Sequence, residues 1–281
     1  MTRTNSMSGF LDEMASLSEA RVAQARRHES ADALQRRARQ AAPGAPLRLS
    51  SRGFDVIAEL KLRSPAAGLL SDSSEDWLGR VAAYARGGAV AVSVLTEPTR
   101  FDGSLDHLSQ AAAVLAPLGI PAMRKDFLVD PYQVLEARAA GAGGVLVILR
   151  MLSRGRIEEL LDVAAEHGMF VLLEAFDEAD LALASGLLAP RAADRQTLLI
   201  GVNCRDLQTL EVVMERFAVL APLLPPGWPA VAESGVASAE DALGVCKLGY
   251  HAALIGTALM ANPEPAGLLR AIFHATRTVH P

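Results

Sequence analysis

The chain has 281 residues, 51% hydrophobic and 21% charged, with a formal net charge of -5. This balance excludes a disordered polyelectrolyte and offers no basic footprint for nucleic acid. Its apolar runs are too short and interrupted to span a bilayer. Met1 to Gly9 is polar, with no apolar signal core, so a cytoplasmic location is expected. Cys204 and Cys246 are too few and too isolated for a disulfide framework, and no CxxC or Cys/His cluster suggests a metal site.

From Phe10 to about Gln40, Phe10, Met14, Leu17 and later Leu34 recur at helical intervals, which predicts one or two helices ahead of any strand. Pro43, Gly44 and Pro46 then punctuate a linker. The first strand, Val56 to Leu60, is followed by a loop (Pro65 to Ser73), a helix (Glu75 to Arg86) and a second strand, Ala89 to Leu95. Further apolar strands are predicted at Pro121 to Arg124, Gly144 to Ile148, Met169 to Glu174, Leu198 to Asn203, Pro229 to Glu233 and Ala252 to Ile255. Helical patterns fill the gaps at Leu105 to Leu115, Pro131 to Ala140, Arg154 to His167, Glu178 to Ala184, Val212 to Leu223, Ser238 to Leu248 and Pro265 to Thr278.

Strands that are apolar on both faces imply a parallel sheet covered by helices, either a closed barrel or a doubly wound open sheet. An open sheet concentrates function after its first strand on a Gly-rich turn, and no GxGxxG or Walker-type loop is present. Polar residues recur instead at strand ends along the whole chain, the pattern of an α/β (β/α)8 TIM barrel. The expected division is an N-terminal helical extension over 1–54 and a barrel over 55–281.

Glu59 and Lys61 share one face of the first strand, and burying that pair is costly unless it forms a structural ion pair or serves a ligand. Lys125, Glu174, Asn203, Arg205, Glu233 and Ser234 stand at later strand ends, and Ser93 near the end of the second. Taken singly, each could be a surface charge. As a set converging on one barrel mouth, with three carboxylates facing three cations, they predict a catalytic pocket. Asn203 and Arg205 should face inward, and Cys204 between them should face a helix and not act as a nucleophile. Cys246 belongs to the apolar stripe of its helix. Glu233-Ser234-Gly235 and Ile255-Gly256-Thr257 place a glycine and a hydroxyl after strands seven and eight, where barrels often bind phosphate.

The runs Ile57-Ala58-Glu59-Leu60-Lys61, Val92-Ser93-Val94-Leu95-Thr96-Glu97-Pro98, Arg124-Lys125-Asp126-Phe127, Gly201-Val202-Asn203-Cys204-Arg205-Asp206-Leu207 and Ala232-Glu233-Ser234-Gly235 closely resemble indole-3-glycerol phosphate synthase of tryptophan biosynthesis. The resemblance covers nearly the whole chain, helical extension included. It implies a carboxy-lyase that closes a pyrrole ring in 1-(2-carboxyphenylamino)-1-deoxyribulose 5-phosphate with loss of carbon dioxide and water, and that needs no metal or organic cofactor. Lys125 would be the general acid for ring closure, and Lys61 with Glu59 or Glu174 would serve dehydration. Asn203 and Glu233 would orient the reacting groups, Ser93 and Phe127 would shape the aromatic pocket, and Arg205 would add positive charge. Arg63, Ser64, Ser234, Gly235, Gly256 and Thr257 would hold the phosphate, under a lid at Pro65 to Ser73.

The resemblance implies a small-molecule phosphosugar substrate; charge and apolar runs imply no nucleic-acid or membrane partner, and a monomer or weak homo-oligomer is expected. Ala66 and Ala67 stand where many members have Ser and Lys, Phe176 where many have His, and Cys204 where Asn or Ser is common. The alternatives are a diverged copy acting on a related phosphosugar in specialised metabolism and a binding barrel without turnover. Retention of both Lys61 and Lys125 argues against the latter.

Overall fold

Eight apolar segments pair side by side, all parallel, in the computed structural model of the chain. They are β1 (Asp55–Leu60), β2 (Ala91–Leu95), β3 (Ala122–Lys125), β4 (Gly144–Ile148), β5 (Phe170–Ala175), β6 (Leu198–Asn203), β7 (Ala230–Glu233) and β8 (Ala252–Ile255). Each pairs with the next and β8 closes onto β1, making the barrel that the strand-end pattern predicts. The structure describes residues 7–51, 53–64, 68–69, 76–191, 197–206, 209–277 and 279. Much of the expected lid, at 65–67 and 70–73, lies outside these, as do Ala66, Ala67 and Leu207.

Alternation along the strands separates two apolar layers. Ile57, Ala91, Met123, Leu146, Phe170, Leu172, Leu199, Val231 and Ala252 fill the interior. Val56, Ala58, Leu60, Val92, Val145, Val171 and Ile200 face outward onto the helices, where Cys204 and Cys246 also lie buried. This double burial is why the strands lack the polar face of an antiparallel sheet.

The surrounding helices start at side-chain caps: Ser104, Asp130, Ser153, Asp177 and Ser238 each accept a backbone N–H in the first turn that follows them. The helix expected over Val212 to Leu223 is shorter, Glu215–Leu220 followed by a 3-10 turn, because Val212 is drawn into a bridge with Arg205. Two helical turns that periodicity is too short to reveal, Pro98–Phe101 and Thr257–Ala261, follow β2 and β8. A two-stranded ribbon, Arg63–Ser64 with Gly68–Leu69, follows β1.

The extension wraps the barrel from one end to the other. Helix Met7–His28 lies over the C-terminal ends of the strands, with Leu11 and Met14 buried in the interior cluster. Ser30 caps the second helix, Ala31–Gln40, whose Leu34 and Ala38 pack with Tyr132 and Leu135 of helix Pro131–Ala139. The chain then passes beneath β4, where a Cβ on Gly44 would stand 2.6 Å from the backbone of Gly143. Leu47 and Leu49 pack against the interior from the N-terminal end.

Candidate active site

Strand register decides which side chains meet. Glu59 stands beside Ser93, Leu95 beside Lys125, Ile148 beside Glu174, and Asn203 beside Glu233. Glu59, Lys61, Lys125, Glu174, Asn203, Arg205 and Glu233 all open into one cavity of about 400 Å³ at the C-terminal mouth, within the size range of small-molecule sites. Lys125 Nζ is 3.2 Å from Glu174 and 3.4 Å from Glu233, and Lys61 Nζ is 2.9 Å from Glu59. Asn203 donates to Glu174 Oε1 at 2.7 Å and accepts the Arg205 N–H at 2.9 Å, so Glu174 is gripped through both oxygens.

Two glycines make room for two of these carboxylates. A Cβ on Gly201 would collide with Glu233 Oε1, and one on Gly256 with Glu59 Oε1. Only the missing side chains let Glu59 and Glu233 lie this deep, at 3% and 1% exposure. Burial works against the Glu59 charge, but Lys61, Lys125 and Arg205 outweigh it and hold the carboxyl below its usual range. Burial likewise opposes the Lys125 ammonium, yet Glu174, Glu233 and Glu59 together raise its pKa and keep it protonated.

Glu233 behaves differently. Burial and the Glu174 charge push it up to about 8, and Lys125, shared with the nearer Glu174, does not reverse this. Its Oε1 has no hydrogen-bond partner among the described residues, and neither does Ser93 Oγ. The mouth thus holds a committed ammonium, an ionised Glu59–Lys61 pair and a third carboxyl, Glu233, whose proton affinity is raised. Such a set can protonate a developing alkoxide and move protons at adjacent carbons. Burial pushes the Cys204 thiol up to about 11 and so leaves no thiolate there. Among the described residues no group of His, Cys, Asp or Glu could hold a metal ion, and no helix is long and apolar enough to cross a membrane.

The family model described as Indole-3-glycerol phosphate synthase matches residues 11–272. The chain belongs to the indole-3-glycerol phosphate synthase family. Relatives include the indole-3-glycerol phosphate synthases of Parafrankia sp. (strain EAN1pec), 44% identical over 80% of this chain and 81% of that one, and of Mycobacteroides abscessus, 40% identical over 83% and 80%. Solved structures share the fold at low identity. Thiamine phosphate pyrophosphorylase from Pyrococcus furiosus superposes with a TM-score of 0.58 at 13% identity, covering 82% of this chain and 98% of that one. For 3-hexulose-6-phosphate synthase from Salmonella typhimurium the values are 0.58 and 14%, covering 79% and 98%.

In this member of the family the rim carries Ser234, Gly235, Gly256 and Thr257, all lining the cavity. Ser234 and Gly235 turn the chain sharply at φ 67° and 79°, and a side chain on Gly235 would meet Val212 and Met214. Arg63 stands outside the cavity lining, on the exposed ribbon, 3.6 Å from Asp102. Ser93 is fully buried, also outside the lining, next to Glu59 in register. The side chain of Ser64 lies outside the described residues.

Sequence reasoning reached Phe127 but missed most of the apolar wall. Phe127 packs edge-on to Phe10 at 5.8 Å and against Phe101 at 6.2 Å, and Leu11, Ile148 and Phe176 complete that side. Phe10 and Leu11 come from the extension, and no spacing rule connects residue 10 to residue 127. For Phe176 there was a signal, a bulky apolar residue two positions after Glu174 and on the same face.

Proposed function

We propose that this cavity closes the pyrrole ring of indole-3-glycerol phosphate, with Lys125 as the proton donor to the ketone. The substrate is 1-(2-carboxyphenylamino)-1-deoxyribulose 5-phosphate. Its carboxylate-bearing aryl carbon attacks the ketone carbon, and the ketone oxygen takes a proton from the Lys125 ammonium. The carbon–carboxylate bond then breaks, its electrons restore the aromatic ring, and carbon dioxide leaves. Loss of the new hydroxyl as water, with a proton from Lys61, and removal of a proton from the adjacent methylene complete the indole.

The base for that last proton is Glu174, oriented by Asn203 and Lys125. Glu59 is the poorer choice, because Lys61 and its other cationic neighbours depress its proton affinity. Glu233 as a neutral acid donates a hydrogen bond to a substrate oxygen. The apolar side formed by Phe10, Phe101, Phe127 and Phe176 receives the aromatic ring. Arg205 and the Ser234–Gly235 and Gly256–Thr257 turns face the phosphate end, where the first turn of a helix leaves N–H groups without intrahelical acceptors.

The observation that carries this reading is one ammonium held between two buried glutamates, in a cavity that an aromatic wall also lines, in a chain of this family. Purified protein mixed with the substrate should develop indole fluorescence, and its absence from folded protein would overturn the reading. Lys125→Met should lower kcat by about 10²–10⁴-fold with an unchanged circular dichroism spectrum. Binding without turnover in the wild type would instead indicate a non-catalytic barrel.

A further inference from the structure

Phe176 is held from behind by an arrangement that packing alone does not require. Its ring lines the catalytic cavity, and Arg150 Cζ lies 4.6 Å from the ring centroid. Arg150 does not line that cavity. It lines a neighbouring one of about 310 Å³, with Asp12, Asp177 and Asp180, so the guanidinium covers the ring face turned away from the catalytic side.

The guanidinium is itself fixed. Its Nε donates to Asp180 Oδ2 at 2.8 Å, and its Nη2 reaches Asp177 at 2.6 Å and Asp180 at 2.7 Å. Asp180 Oδ2 also accepts the backbone N–H of Phe176 at 2.8 Å. One buried carboxylate therefore sets the backbone of Phe176, and the cation bound to that carboxylate sets its ring. An ion pair serving only to neutralise Asp180 would have no need to set its guanidinium over an aromatic face. Two residues earlier, on the strand that leads into Phe176, Glu174 contacts Lys125 and Asn203.

We propose that Arg150 is a positioning residue for ring closure. It holds Phe176 as the flat wall against which the aromatic ring of the substrate rests, and so sets affinity for that ring from outside the cavity. The inference rests on the ring closure argued above. Without Arg150 the Phe176 ring regains rotamer freedom and the wall is lost, whereas Lys61, Lys125 and Glu174 keep their contacts. The loss therefore falls on binding and not on chemistry.

Arg150→Met should raise KM about five- to twentyfold with kcat changed by less than about twofold. Arg150→Met with Asp180→Asn removes both charges together and shows the same KM shift if the single variant folds poorly. In a Phe176→Leu background, Arg150→Met should change KM by less than about twofold, because the ring it acts through is gone. An unchanged KM in Arg150→Met, or an equal rise in both backgrounds, overturns the proposal. If the wild type forms no indole, the reaction assignment falls, and a crystal structure of Arg150→Met decides this inference by itself. A Phe176 ring displaced from its position supports it, and an unmoved ring overturns it.

Discussion

Glu233 shows how far a single side chain is defined by its neighbours. At the end of an apolar strand it reads as one more strand-end carboxylate, legible as a candidate but not as a group of raised proton affinity. What raises it is the burial that Gly201 on the adjacent strand allows, its missing Cβ admitting the carboxyl, together with Glu174 close by. Gly256 plays the same part for Glu59, and so serves the catalytic pair as well as the proposed phosphate rim. Because the Glu233 pKa in the fold lies above its ordinary value of 4.5, at about 8, the native state binds its proton more tightly than the unfolded chain does. The stability this contributes is complete below the unfolded value and is lost as pH rises through the folded one. Glu233→Gln keeps the shape without the titration. Its melting temperature should match the wild type at about pH 4 and exceed it at about pH 9, measured by differential scanning fluorimetry. A gap that does not widen with pH would contradict the assignment.

Among the elements, the first helix was legible but its position was not. Phe10, Met14 and Leu17 mark a helix, yet nothing in that pattern says that the helix roofs the mouth. It is held there by polar contacts. Arg21 reaches Asp126 at 2.7 Å and Glu97 at 3.4 Å, and Ser18 donates to the Phe127 carbonyl at 2.5 Å. Asp126, also bound by Thr96 and Arg124, sits between Lys125 and Phe127, so the tether ends beside the proposed proton donor and the aromatic wall. Arg21→Met leaves the buried Asp126 with fewer donors and should cost about 1–2 kcal/mol, read from the midpoint of urea unfolding. The same variant should raise KM, because Phe10 and Leu11 are carried by that helix. The linker at Pro43 to Pro46 was equally visible as a break, but its close pass under β4 at Gly44 was not.

At the scale of the whole molecule, we propose that 1–54 and 55–281 fold as one unit despite the change of pattern at their border. Leu11 and Met14 at one end, and Leu47 and Leu49 at the other, belong to the same apolar cluster as the barrel interior. Calorimetry should therefore show one transition with equal calorimetric and van't Hoff enthalpies, whereas a separate early transition would mark an independent extension. Local chemistry was enough to specify eight doubly buried strands, the helices between them, and the polar residues at the strand ends. Periodicity and side-chain alternation are properties of neighbours in the chain, so these could be read directly. The Lys125–Glu174–Glu233 contacts, the room left by Gly201 and Gly256, and the aromatic wall joining residue 10 to residues 101, 127 and 176 were decided only on closure. They depend on register between strands and on what distant segments exclude from each other's space, and no local pattern encodes a distance between groups a hundred residues apart.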